Sequence, residues 1–453
     1  MDPYRLAASE ALSQIRSNHL TVENYARSLL SRIDARDAHT QAWAYLNHDL
    51  VLEQARRLDQ IPPDQRGPLH GVAVGVKDVI YTKDMPTQHN SPIYKDSHPG
   101  VDAASIMILR AAGALIFGKT TTTEFAATTQ GPSTKNPHSA SSSPARTPGG
   151  SSSGSGAAVA DFHVPLALGT QTGGSTIRPG SFNGIYAMKP TWNAVSREGQ
   201  KIYSPILDTI GFFARSVADL ELLADVFALK DYEEEGEDGV GSIDGGLFPL
   251  RGARFAILNP PLLGAQAGPG TTAAMAKAAQ LLKLHGAEVT DISIPDAEYG
   301  DLPQWHRVVM ASDGGVAFLP EHRAYPGQLH GSLAAQVENS PGYSRAEQLR
   351  AFDGIAALRP RFDALAEGYA AVLAPSVPDE APVGVECTGS AAFNGIWTAL
   401  HTPVVNVPGF CGENGMPIGL SLVAPRYRDR HLLRVSAAVG KVFEAEGGWI
   451  SQL

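Results

Sequence analysis

Serines set among glycines are the first feature of this 453-residue chain that could carry chemistry. They occur twice. Gly149-Gly150-Ser151-Ser152-Ser153-Gly154-Ser155-Gly156 is followed by Gly169-Thr170-Gln171-Thr172-Gly173-Gly174-Ser175-Thr176-Ile177-Arg178-Pro179, and Lys189-Pro190-Thr191 closes the stretch. Glycine at 173 and 174 lets the backbone turn several N–H groups toward one point, with Ser175 at the end of the turn. The N–H groups of Thr172, Gly173, Gly174 and Ser175 could then form an oxyanion hole, because an oxygen gaining negative charge needs preorganised donors. A serine hydroxyl attacks poorly unless a neighbour takes its proton. The candidate base lies upstream in Gly67-Pro68-Leu69-His70-Gly71-Val72-Ala73-Val74-Gly75-Val76-Lys77-Asp78, where Val72, Val74 and Val76 alternate with Ala73, Gly75 and Lys77 at strand period. Burial of a lysine at the end of such a strand disfavours the ammonium and leaves an amine able to accept a proton.

Taken together and in this order, these stretches resemble the amidase signature family. The resemblance implies that Ser175 is the acylated nucleophile, Ser151 a bridging serine behind a cis peptide bond, and Lys77 the base. Ser151 would accept a proton from Ser175 while giving its own to neutral Lys77, which protonates the leaving amine through the same relay. Ser152, Phe393, Asn394 and Trp397 are expected to touch substrate, and Asp78, Thr170 and Arg178 to support the site. The substrate is expected to be a small-molecule amide, with anilides, carbamates and esters open, and neither metal nor organic cofactor is implied. Two other readings stay open: an A-type amidotransferase subunit that delivers ammonia to a partner, and a catalytically inert amide-binding protein. Gln171 stands where many members have aspartate, Arg178 sits one place later than in the commonest form, and Asn183 and Ala187 replace a cysteine and a glycine. These departures bear on the support of the site and on subfamily, not on reaction class.

Three rival patterns fail on context. Gly113-Ala114-Leu115-Ile116-Phe117-Gly118-Lys119-Thr120 fits the P-loop spacing, but its four middle residues are apolar and read as a strand, leaving nothing to wrap phosphates. Gly150-Ser151-Ser152-Ser153-Gly154 fits a nucleophile elbow with Ser152 as nucleophile, yet it follows the polar, proline-containing stretch 139–148 in place of a buried strand. A flexible linker would not run straight into a helix at 157–160 and the apolar segment 164–168. His306 and His322 fall in a weakly patterned stretch, 299–342, of the kind that often forms a lid or specificity wall.

A net charge of −10 without a basic stripe argues against nucleic acid and anionic membranes as partners. No stretch approaches a membrane span and the N-terminus lacks a basic region followed by an apolar run, so a cytoplasmic address is expected; a homodimer stays open. Cys387 and Cys411 cannot form a framework, though they could pair. Helices are expected at 22–33 behind Thr21, 51–58, 103–112 capped by Asp102, 216–227, 273–285, 344–358 up to Pro360, and 429–444. Strands are expected at 72–77, 114–117, 254–258, 288–292 and 370–374, and the acidic run 233–238 as a solvated loop. This alternation predicts an α/β fold with a mixed central β-sheet covered by helices on both faces. One domain over 1–453 is expected, with a motif-bearing core at 68–230 and a variable insertion and pocket wall at 231–342.

Overall fold

In the computed structural model, which describes residues 2–139, 144–231, 247–258 and 267–453, eleven strands form one sheet. In chain order they are β1 (Trp43–Tyr45), β2 (Ala73–Lys77), β3 (Leu115–Thr120), β4 (Leu166–Gln171), β5 (Tyr186–Lys189), β6 (Thr209–Ala214), β7 (Arg254–Leu258), β8 (Glu288–Ile292), β9 (Ala371–Pro375), β10 (Val404–Cys411) and β11 (Pro417–Val423). Across the sheet they run β1-β3-β2-β4-β6-β5-β10-β11-β9-β7-β8. Pairing is parallel where β2 meets β3 and β4 and where β7 meets β8 and β9, and antiparallel elsewhere. The expected mixed α/β sheet is what the chain forms.

The interior strands are buried along their whole length because helices cover both faces, which is why they read as apolar runs. Val74, Val76, Leu166 and Leu168 face one layer, with helices Ala104–Ala111, Val217–Val226 and Asp429–Glu446. Ala73 and Ala167 face the other, with helices Val22–Thr40 and Ser153–Ala160. Lys77 shares the parity of Ala73 and Gly75, so strand period sends it to the second face, where the helix that follows Ser151 and Ser152 packs.

Several boundaries differ from the sequence reading. Asp102 caps no helix: the helix begins at Ala104 with Ala103 as an uncapped N-cap, and Asp102 accepts from the Lys83 N–H and pairs with Arg110 at 3.1 Å. The strand expected at 114–117 extends to Thr120, so the P-loop-like Gly118-Lys119-Thr120 is itself strand. Helix Arg345–Ala366 starts on the expected Ser344–Glu347 capping box but runs through Pro360, because Ile355, Leu358, Phe362 and Ala366 on both sides of the proline are held in one apolar cluster. The weakly patterned stretch folds into helices Leu302–Ala317, Leu319–Ala324 and Gly331–Val337. The acidic run at 233–238 lies outside the described residues. Cys387 and Cys411 are exposed free thiols.

Candidate active site

At the end of β2, Lys77 is fully buried, and its Nζ donates to Ser151 Oγ at 2.6 Å and to Thr170 Oγ1 at 2.8 Å. Burial holds its pKa well below the ordinary 10.5, with Arg178 pushing the same way and Asp208 opposing. A neutral amine with hydroxyls on it is a competent proton acceptor. The Gly150–Ser151 peptide bond is cis. Arg178 grips the carbonyl just before Ser151: its Nε donates to Gly150 O at 3.2 Å, Nη2 to the same oxygen, and Nη1 to Gly389 O. Burial lowers the guanidinium pKa only to about 10, so it stays charged. Ser175, three residues before Arg178, thus joins the Ser151 loop through one side chain.

Ser175 opens onto a cavity of about 420 Å³ that Thr172, Gly173, Gly174 and Arg178 also line. Three of the loop's carbonyls are held: Thr172 O accepts from His306 Nε2 at 3.0 Å, Gly173 O from Thr398 Oγ1 at 2.9 Å, and Gly174 O from the Arg178 N–H at 3.0 Å. A carbonyl only accepts, so His306 carries its proton on Nε2, and burial lowers its pKa and keeps the ring neutral. Among the described residues, no acceptor lies within reach of the N–H groups of residues 172–175, whereas those of Thr176 and Ile177 are taken by Gln171 Oε1. Gln171 also uses its amide, Nε2 donating to Thr398 Oγ1 at 3.1 Å. An aspartate there could accept the two N–H bonds but could not reach Thr398 as a donor, which gives the departure at 171 a physical content.

The other expected residues divide. Thr170 touches Lys77 as described. Asp78 turns away from the serines and packs 3.5 Å from Lys119, whose Nζ donates to Ile80 O and Thr87 Oγ1, each at 2.6 Å. Burial raises the Asp78 carboxyl to about 6 and lowers the Lys119 ammonium to about 8. Ser152 is fully buried with its hydroxyl on the Thr170 backbone at 3.3 Å, outside the cavity lining. Phe393, Asn394 and Trp397 are also buried and off the lining; Trp397 packs on Phe362, and Asn394 Nδ2 bonds Ser376 O at 3.0 Å. Their chain neighbours Ala391, Ala392, Gly395 and Ile396 line it in their place. Asn183, at the cysteine position, donates to Pro148 O at 2.7 Å and ties down the start of the Ser151 loop.

Residues of the weakly patterned stretch 299–342 also meet here. Pro303, His306, Arg307 and Met310 line the cavity from helix Leu302–Ala317. Their i, i+3, i+4, i+7 spacing is one helix face, a signal hidden because Gly314, Gly315 and Pro303 weakened the helical pattern. Asp208 is buried under the loop and accepts from Thr172 Oγ1 at 2.6 Å and from the Tyr203 N–H at 2.7 Å.

The Amidase family model matches residues 24–433, which include Lys77 and both serine loops. The chain belongs to the amidase signature family. Within that family it is 32% identical to the A-type subunit of glutamyl-tRNA(Gln) amidotransferase from Symbiobacterium thermophilum, over 94% of each chain. Among solved structures it is similar to a chain of a vestigial protein complex described as revealing the evolutionary origins of an s-triazine catabolic enzyme, at 26% identity and TM-score 0.83 over 98% of this chain and 100% of that one. The native peptide amidase from Stenotrophomonas maltophilia is also 26% identical, with TM-score 0.78 over 97% of this amidase signature chain and 98% of its own. No helix among the described residues is long and apolar enough to cross a membrane.

Proposed function

We propose that this protein is an amidohydrolase that cleaves a small-molecule carboxamide through an acyl-enzyme on Ser175. The observation that carries the reading is the buried amine of Lys77 donating to Ser151 Oγ at 2.6 Å, in a loop that Arg178 ties to Ser175. Ser175 Oγ attacks the carbonyl carbon as its proton passes to Ser151 and that of Ser151 to Lys77. The carbonyl oxygen takes the negative charge and is met by the free N–H groups of residues 172–175. Collapse breaks the C–N bond, and the proton held by Lys77 returns through Ser151 to the leaving nitrogen. Water repeats the sequence on the ester and releases a carboxylic acid, restoring Ser175.

The family relative from Symbiobacterium thermophilum favours a second reading, an amidotransferase component that hands ammonia to a partner. The two differ in what the isolated chain does. Released ammonia and free acid should accumulate stoichiometrically when the purified chain alone is given a simple aliphatic amide. Turnover that requires glutamine and a copurifying partner protein would replace the hydrolase reading with the transferase one.

The donor loop makes its own prediction. A Cβ placed on Gly174 would lie 2.4 Å from Asn394 Oδ1 and 3.0 Å from Ala391 Cβ, and Asn394 is anchored through Ser376. Gly174→Ala must therefore shift the loop and its N–H groups. The rate constant kcat is expected to fall about 10²- to 10³-fold, the value of one misplaced oxyanion donor, with the melting temperature nearly unchanged. An unaltered kcat would remove these N–H groups from the mechanism.

A further inference from the structure

We propose that the cavity selects amides bearing an anionic group and no ammonium, with Arg307 as the residue that determines this specificity; the proposal rests on the amidohydrolase reading above. Two arginines, Arg178 and Arg307, line the cavity, and none of its lining residues is an aspartate or glutamate. In a chain of net charge −10 this sign is a local property of the cavity, and clefts of one sign focus ligands of the other. The buried acid nearby, Asp208, does not line the cavity, and Thr172 and Tyr203 occupy its oxygens. His306 is neutral and spends its one proton on Thr172 O, so it offers an ammonium no countercharge.

The two arginines differ in availability. Arg178 holds the carbonyls of Gly150 and Gly389, and swapping it would disturb the Ser151 loop. Arg307 is exposed at the cavity wall, and its only hydrogen bonds among the described residues join Nε and Nη2 to Gln304 Oε1 at 3.1 and 2.8 Å; Nη1 has no partner. A guanidinium keeps its charge at any working pH and presents paired donors that match a carboxylate. Glutamine fits such a cavity poorly, because the ammonium beside its carboxylate would face two positive groups and no negative one.

The test uses amides matched in length: pentanamide (neutral), glutaramate (anionic) and glutamine, which is glutaramate with an added ammonium. With the full chain, kcat/KM for glutaramate should exceed that for pentanamide by about fivefold, the upper worth of one partly exposed charge pair, and glutamine should fall below glutaramate. Arg307→Gln should bring the glutaramate-to-pentanamide ratio to about one, and added salt should compress the ratio in the native chain. Glutamine taken in preference to glutaramate, or a ratio that Arg307→Gln leaves in place, would overturn the proposal. Hydrolysis of pentanamide with no preference for glutaramate would overturn it alone. No hydrolysis of any amide, with Ser175 also unreactive toward a fluorophosphonate, would bring down the hydrolase reading and the proposal together.

Discussion

Ser175→Ala is expected to lower amide hydrolysis by at least about 10⁴-fold and to abolish covalent labelling by a fluorophosphonate. The effect is large because the hydroxyl supplies the bond-forming oxygen, and the hydroxyls of Ser151 and Ser152 in the other loop are engaged elsewhere. Ser152 is fully buried with its hydroxyl on the Thr170 backbone, and Ser151 is held by Lys77. What survives in the variant should be the part contributed by binding and by the N–H groups of residues 172–175, which needs no nucleophile. Peptide mapping of the labelled native chain provides the control: one adduct is expected, on Ser175. An adduct on Ser152, retained in Ser175→Ala, would install the nucleophile-elbow reading in its place and demand a histidine partner.

How much of this was legible beforehand depended on what each residue's position is controlled by. Lys77 could be placed because strand period alone sends it to the face of Ala73 and Gly75, and because the glycines around 173 announce a turn. The segment after Ala391 could be assigned to the wall, but its facing could not: Phe393, Asn394 and Trp397 carry the larger side chains and went to the core, leaving the small residues 391, 392 and 395 on the cavity. Chemical interest and burial pulled in opposite directions there, and burial won. The partners of His306 and Thr398 could not be read for another reason. Each side chain acts on a carbonyl more than a hundred positions away in the chain, at Thr172 and Gly173, and such a contact leaves no mark in local periodicity.

Asp78 illustrates the same limit from the opposite side. Adjacent to the base in sequence, it looked like support for the site, yet β2 ends at Lys77 and the chain turns at Asp78, with the Val79 and Ile80 N–H groups folding back onto Lys77 O. Its carboxylate belongs with Lys119, and that pair explains why the lysine of the P-loop-like pattern is buried in the core. Within the stretch expected to form a lid or wall, the helix at 302–317 was hidden because glycines at 314 and 315 lower helical propensity while tertiary packing still fixes the helix. With the helix unread, the cavity face that carries His306 and Arg307 was unread too.

Lys77→Met is expected to separate activity from stability. Hydrolysis should fall about 10²- to 10⁴-fold, the range for loss of a positioned base. The native enzyme's rate should rise with pH as Lys77 loses its proton and reach its plateau well below pH 10.5, since burial has lowered that group's pKa. Stability carries the same signature with a definite sign. Between the lowered pKa of the folded protein and 10.5, the unfolded chain binds a proton at this lysine that the folded chain does not, so folding is penalised and the penalty shrinks as pH rises. Methionine has no proton to lose and escapes it, so the melting temperature of the variant relative to the native chain should fall by a few degrees as pH rises toward 10.5. The hydrogen bonds to Ser151 and Thr170 are lost at every pH, which leaves the trend with pH as the clean readout. A melting-temperature difference that is flat with pH would mean that Lys77 is charged in the folded protein, and a charged Lys77 could not take the proton from Ser151.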